Sequence, residues 1–470
     1  MNRLFASRLI SGLFFSASLC ITGSAANAQQ TVGKTLSQAI EAAESVHLSV
    51  RISQAEIDEA GARVDQAKAQ FFPTLDFSSR MERINSKDRY SGVEASVEIP
   101  GLGYSATASV EQTMPRYQAW PELTARQSVY AGGRTSAQLS QANLSLRAAG
   151  LSRRIALQQM ALDTSAAFFK LRRACIQLSS ATRQLQWAKT KADTASQRLQ
   201  EGRIAQVEER ASALAYAEKQ SLLRSHEENL ELAYADYRES TQNAVPEEQG
   251  MTTQCQFANT IEADFEYVLK LSDQTLDEQY EKLKLDAARK GIAIHRAALR
   301  PQANLYASYH AVGRSDDSFN KALSDISHRR SVSSAGLVIT VNIFDHGLAS
   351  HRVSEAKAKF RKLELATEQA ALDRAQQQRR RELEVRMAKT RIEQLFAQLE
   401  LATAQADVAR EQLKAGTGNA IHASEQIARE QDAKDEIHVA YIDHTLARLA
   451  MLFSSKVIQE SYPRRIMQEP

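Results

Sequence analysis

Leu199-Gln200-Glu201-Gly202-Arg203 and Leu413-Lys414-Ala415-Gly416-Thr417 decide the fold of this 470-residue chain. Each is a glycine break inside an otherwise continuous helical pattern, and 416 − 202 is 214. Working outward, Tyr130-Ala131-Gly132-Gly133 matches Phe344-Asp345-His346-Gly347 at the same offset, since 344 − 130 is 214. Pro73 and Pro301 stand earlier in each half, and 301 − 73 is 228, so the first β-like stretch is 14 residues longer. The second half of the chain rewrites the first, and a duplication of this kind sets the architecture.

The hydrophobic period switches along each half. Residues 35–70 read as helix, with Ala39, Ala43, Val46 and Val50 at three- and four-residue steps. Pro73 ends it, because the residue before proline is pushed out of the α region. Val93, Ala95, Val97 and Ile99, then Tyr104, Ala106, Ala108 and Val110, alternate with polar residues. That is the period of strands with one apolar face. Ala303, Leu305, Ala307 and Tyr309 form a third such run and Leu337, Ile339, Val341 and Ile343 a fourth, with polar 320–334 reading as an exposed loop. Trp120 and Tyr130, with Tyr90 and Tyr104, are candidates for aromatic girdles at membrane interfaces or for ordinary strand aromatics.

Residues 134–243 and 347–455 then read as helix hairpins. In the second, Val385, Ile392, Leu399, Ala406 and Leu413 recur at heptad spacing, with Ala388, Leu395, Ala402 and Ala409 beside them. This is a coiled-coil seam whose small residues permit close helix approach. The first carries Ile155, Leu162, Phe169 and Ile176 on one stripe. A helix from Arg134 to Ile204 would be about 105 Å long. It is a strut.

Arg3 and Arg8 precede an apolar run, Leu9 to Ile21, that closes on Ala26-Asn27-Ala28. This layout predicts a cleaved export signal over 1–28. No later apolar run reaches the ~18 residues of a membrane helix, so any part inside a bilayer must be closed β-barrel. The 59 basic and 56 acidic residues leave a net charge of +3. Charge is interleaved along the helices, as on solvated faces, and nucleic acid is not an expected partner. The histidines lack helical zinc spacing, and no phosphate loop, nucleophile elbow or dinucleotide fingerprint occurs. No metal, cofactor or catalysis is therefore expected. Cys175 and Cys255 follow the signal and are candidates for a disulfide in an oxidising compartment. Helix rise puts Cys175 roughly 40 Å above the tip, on a level that the segment holding Cys255 can reach.

With this order of elements the chain resembles the TolC-like outer membrane factors of Gram-negative bacteria. The resemblance rests on the doubled plan, on Ala69-Gln70-Phe71-Phe72-Pro73 and Leu299-Arg300-Pro301 before the strands, and on Phe344-Asp345-His346-Gly347 after them. It rests further on the glycine breaks ahead of Val207-Glu208 and of His422 to Glu425. It implies a mainly α fold with a β-barrel portion, in which three protomers give four strands each to one outer-membrane barrel continued by a coiled-coil tunnel. The organisation then runs as signal 1–28, first repeat 29–245, link 246–274, second repeat 275–455 and tail 456–470. Pro73, Pro301, Gly133 and Gly347 mark the helix–strand junctions.

The resemblance also places candidate sites. Glu208, with His422 and Glu425, would narrow the tunnel entrance. His422 stands where relatives carry aspartate, and Gly418 where the best-known member carries an arginine of its closing network. A histidine of ordinary pKa, about 6.5, would make the entrance charge follow pH; a solvated helix-tip residue is the other reading. The tips at Gly202, Arg203, Gly416 and Thr417 would dock a periplasmic adaptor, with an ABC exporter or other inner-membrane pump as further partner and outer-membrane lipid around the barrel. The expected function is passive conduction, in type I protein secretion or in drug efflux. The competing reading is a soluble periplasmic coiled-coil scaffold, which explains the heptads and leaves the strands without a role.

Overall fold

The structure, a computed structural model, describes residues 35–85, 115–242, 255, 257, 259–271, 276–326 and 331–452, and the backbone of 90–98 and 105–113. The predicted export signal, the tail and much of the link lie outside these. Helix α1 (Leu36–Val46) starts at Thr35, whose side chain accepts from the Gln38 amide. The single helix expected over 35–70 divides at His47, where ψ is 123°, and resumes as α2 (Leu48–Ala69). The reason is a distant partner: the Leu48 amide donates to Gln242 Oε1 at 2.8 Å, a contact that one helical stretch of sequence does not announce.

Four long strands form the main antiparallel sheet: β1 (Thr74–Arg83), β4 (Tyr117–Tyr130), β5 (Gln302–Ala311) and β7 (Ser331–Thr340), in the order β1-β4-β5-β7. The short β6 (Gly313–Ser315) continues β5 along β4. The alternating runs around 93–99 and 104–110 are strands, β2 (Tyr90–Glu98) and β3 (Ser105–Thr113), but they pair with each other in a separate hairpin. Alternation marks a strand without naming its partner, so the reading assigned the wrong pair from the first half to the main sheet. Residues 84–116 join β1 to β4 and 312–330 join β5 to β7, and 33 − 19 is the 14-residue excess of the first half. The polar stretch 320–334 is likewise more than a loop. It holds α7 (Phe319–Ser324) and the start of β7, and β7 ends at Thr340, before Val341 and Ile343.

Register sorts the side chains of the main sheet. Glu122 opposes His310, Thr124 opposes Ser308 and Arg126 opposes Tyr306 on one face. Phe77 opposes Leu123, Leu123 opposes Tyr309 and Leu305 opposes Leu337 on the other. The polar face is the more shielded of the two, with Thr124 buried, whereas Leu123, Leu305 and Tyr309 are exposed. Trp120 belongs to the polar side, with Arg80 stacked 5.5 Å above its ring, and so does not join an outward girdle. Phe71, Phe72, Ile343 and Phe344 are among the exposed apolar residues at the helix end of the sheet.

The helices are α3 (Arg134–Gln200), α4 (Gln206–Ser240), α5 (Ile261–Leu271), α6 (Leu276–Arg296), α8 (Leu348–Lys414) and α9 (Ala420–Leu452). At 67 residues each, α3 and α8 are about 100 Å long. Among the described residues, no helix is long and apolar enough to cross a membrane. The seam of the second hairpin is buried at Val385, Ile392, Leu395, Ala406 and Ala409 and opens at Leu413. The largest core lies mid-bundle, where α1, α4, α5 and α9 gather around Phe168, Phe169 and Leu162 of α3.

Candidate functional site

The two hairpin tips share the hydrogen bonds that cap their first helices. At the end of α3 the Arg203 amide donates to Arg198 O at 2.8 Å and the Gly202 amide to Leu199 O at 2.9 Å. At the end of α8 the Thr417 amide donates to Gln412 O at 3.0 Å and the Gly416 amide to Leu413 O at 3.1 Å. Both are Schellman caps, which need a left-handed residue at the turn. Gly202 and Gly416 supply it, each at φ +71°. A Cβ at either would meet nothing within 4 Å, so backbone conformation alone calls for glycine.

The return helices begin in register, and Glu208 and His422 hold the same third position, since 422 − 208 is again 214. Glu208 is exposed and makes no ion pair among the described residues. With Glu209 it sits in the first turn of α4, where a carboxylate complements the positive helix end. His422 is exposed too, its Nε2 3.5 Å from Gln426 Nε2. Glu425 is half-buried and ion-paired to Arg429 at 3.0 Å, one turn away. The three residues thus lie at the tips without touching one another in a single chain.

Gly418 has a different role from the tip glycines. A Cβ there would stand 2.9 Å from Gln412 C and Leu413 N, backbone atoms of the helix end. Any larger side chain, an arginine included, demands a rebuilt tip. The second hairpin is instead tied internally: Glu430 of α9 binds Arg410 of α8 and, at 3.0 Å, Lys434. Burial works against the charge of Glu430, but Lys434 and Arg410 outweigh it and hold the carboxyl below its ordinary range. The equivalent first-half positions, 410 − 214 = 196 and 430 − 214 = 216, are Ser196 and Tyr216, which cannot form this pair.

Side chains that read as solvated charge in the sequence join the two hairpins. Arg173 pairs with Asp443 at 2.9 Å, the Ser180 hydroxyl donates to Asp432 at 3.3 Å, and Arg183 binds Asp435. These link α3 to α9. Higher up, the segment around α5 is held three ways. A disulfide joins Cys175 to Cys255 with Cα atoms 5.5 Å apart. Arg172 donates to Asn259 O at 3.0 Å, and Arg448 grips both oxygens of Glu262 while lying 3.7 Å over the Phe265 ring. No spacing rule in one sequence joins residues 80 to 186 positions apart.

The junction residues place the sheet on the helices. Pro73 and Pro301 directly precede β1 and β5, and Gly133 and Gly347 cap α3 and α8 at φ +88° and +82°. Asp345 completes the second cap, accepting the Gly347 and Ala349 amides at 3.1 and 2.9 Å. The two halves meet here: Arg300 Nη1 donates to Gly132 O at 3.3 Å, and a Cβ on Gly132 would stand 2.6 Å from Ala297 O.

The family model for outer membrane efflux proteins matches residues 39–226 and 275–450, once in each half. The chain belongs to the outer membrane efflux protein family. It is a protein of the outer membrane whose helices extend into the periplasm, with the fold of TolC-like channels. Among solved structures it is similar to the channel CusC (TM-score 0.68, 14% identity, 89% of this chain and 91% of that one). It is also similar to the outer-membrane channel OprN (0.65, 17%, 89% and 89%) and to VceC from Vibrio cholerae (0.64, 14%, 88% and 96%). No curated protein sequence matches it. The soluble-scaffold reading is set aside by this membership and by the sheet the strands share.

Proposed function

We propose that three copies of this chain close into a twelve-stranded barrel and a helical tunnel. Through it, substrates from an inner-membrane ABC exporter or other pump pass passively across periplasm and outer membrane, in efflux or type I protein secretion. The observation that carries this reading is the sheet itself. Its four-strand path runs β1-β4-β5-β7, leaving β1 and β7 as edges among the described residues, with one polar and one apolar face. An open sheet edge cannot sit in hydrocarbon, and bacterial barrels close with an even strand number from about eight upward. Further copies must therefore supply the missing strands. The organisation into two repeats, a link and a tail follows from the same doubling.

In this assembly Glu208, His422 and Glu425 ring the periplasmic entrance, and the tips at Gly202, Arg203, Gly416 and Thr417 receive an adaptor hairpin. The exposure of Glu208, His422 and the four tip residues, and the position of all of them with half-buried Glu425 at the far end of both hairpins, support this reading. Native mass spectrometry of the full-length protein extracted from outer membranes tests it. A trimer is expected; a monomer in the outer-membrane fraction would remove the closed channel.

A further inference from the structure

Inside one chain the long helices stand in the order α4, α3, α9, α8, since α3 packs on both α4 and α9, and α9 on both α3 and α8. The outer flanks of α4 and α8 carry exposed apolar side chains. Val207, Leu214 and Leu232 on α4, and Met387, Leu401 and Val408 on α8, are each more than half exposed. These flanks continue the edges of the sheet, because β7 runs into α8 and β1 follows α2, which packs on α3 as α4 does.

The duplication dictates how two such flanks meet. Antiparallel helices touch at a nearly constant sum of residue numbers, because one climbs as fast as the other descends. For α3 against α9, the numbers of the ion-paired Arg173 and Asp443 sum to 616, and those of Arg183 and Asp435 to 618. In the repeat α8 stands 214 residues after α3, and α4 stands 214 before α9. The same sum therefore governs α8 against α4, and it sets residues 227–239 opposite residues 377–389. Residues 227–239 hold five carboxylates and one arginine, and 1 − 5 is −4. Residues 379–391 hold six basic side chains and two glutamates, and 6 − 2 is +4. Both of those glutamates are ion-paired within α8, Glu382 to Arg386 and Glu384 to Arg381. Lower on the flanks, Glu218 and Glu400 share a level as like charges, so the charge match belongs to the upper stretch. Within it Asp236 and Arg380 sum to 616, and both are exposed with no ion pair among the described residues. Their counterparts in the repeat, Ala450 and Ala166, line one cavity between α9 and α3.

We propose that α4 of one copy docks on α8 of the next in this register, with acidic 227–239 on basic 379–391 and Asp236 against Arg380. This rests on the closed-channel reading. The apolar flanks are then buried between copies, and the two charge excesses cancel across the seam.

Thiol cross-linking of the full-length protein in outer membranes tests the register, since Cys175 and Cys255 are already bonded. Met387→Cys with Asn229→Cys, at the counterparts of Arg173 and Asp443, is expected to give covalent trimers with a short bis-maleimide. Met387→Cys with Leu222→Cys, seven residues or about 10 Å out of register, is expected to give few. Trimers linked as well by the displaced pair, or linked by neither pair, would overturn the docking. Arg380→Asp and Asp236→Arg are each expected to lower the temperature at which detergent-solubilised trimers dissociate, and the two together to recover most of that loss. Single variants without a loss, or a double variant without recovery, would overturn the pairing of Asp236 with Arg380. Unmodified protein that is monomeric would overturn the closed-channel reading instead, and native mass spectrometry shows that before any variant is made.

Discussion

Gly202 and Gly416 show how much a single backbone angle carries. Nothing crowds them, so replacing either with alanine costs only the left-handed strain, roughly 1–2 kcal/mol. The expected outcome for Gly202→Ala or Gly416→Ala is amide exchange about tenfold faster at the tip, with the helix centres unchanged; hydrogen-exchange mass spectrometry reads this directly. Asparagine, which tolerates that conformation, should cost less. His422 is the second residue whose identity matters, since it puts an imidazole at the position where Glu208 puts a carboxylate in the first half. His422→Asp is expected to change single-channel conductance, because it adds a negative charge at the proposed entrance. Identical conductance would leave His422 as a solvated helix-tip residue. Both positions were legible in the sequence, because a glycine break and a charge substitution at constant offset are local signals. The Gly418 constraint was not, because it arises from atoms of the preceding helix end.

At the scale of elements, the equatorial packing binds α5 and α9 to α3. His444 of α9 is buried there, and burial first, then Arg448 and Lys389, lowers its pKa from 6.5 to about 4. The folded protein thus holds it neutral. Because the folded pKa lies below the unfolded one, the stabilisation is complete above about pH 6.5 and is lost as pH falls from there toward 4, where the unfolded chain takes up the proton first. Thermal unfolding of wild type should shift downward between pH 7 and pH 5, and His444→Leu should shift less over that window. An equal shift in both would exclude His444 as the source. The heptad seams were legible because burial repeats every turn or two. The ties from Cys175 to Cys255 and from Arg448 to Glu262 were not, because each side chain taken alone matches a solvated helix face. Pairing a strand with its neighbour failed for the same reason at β2 and β3: alternation is local and partnership is not.

For the whole molecule, the sheet starts at the helices with Pro73 and Pro301, and the β2–β3 hairpin and α7 follow from its opposite end. In the proposed orientation these face the cell exterior and the tips lie in the periplasm. A membrane-impermeant maleimide added to intact cells is expected to label Asp317→Cys, an exposed loop position beside α7, and to leave Thr417→Cys unlabelled until the outer membrane is opened. The reverse pattern would invert the molecule.

The sequence by itself determined the duplication, the two helix hairpins, the glycine tips and the membership in a family of outer-membrane channels. Those features are periodic or punctual, and short-range sterics and amphipathicity write them into consecutive residues. Only the tertiary structure decided which strands share the main sheet, where α1 breaks from α2, and how α5 is clamped. These depend on which distant surfaces meet when the halves pack, and such long-range pairings leave no period for a single sequence to display.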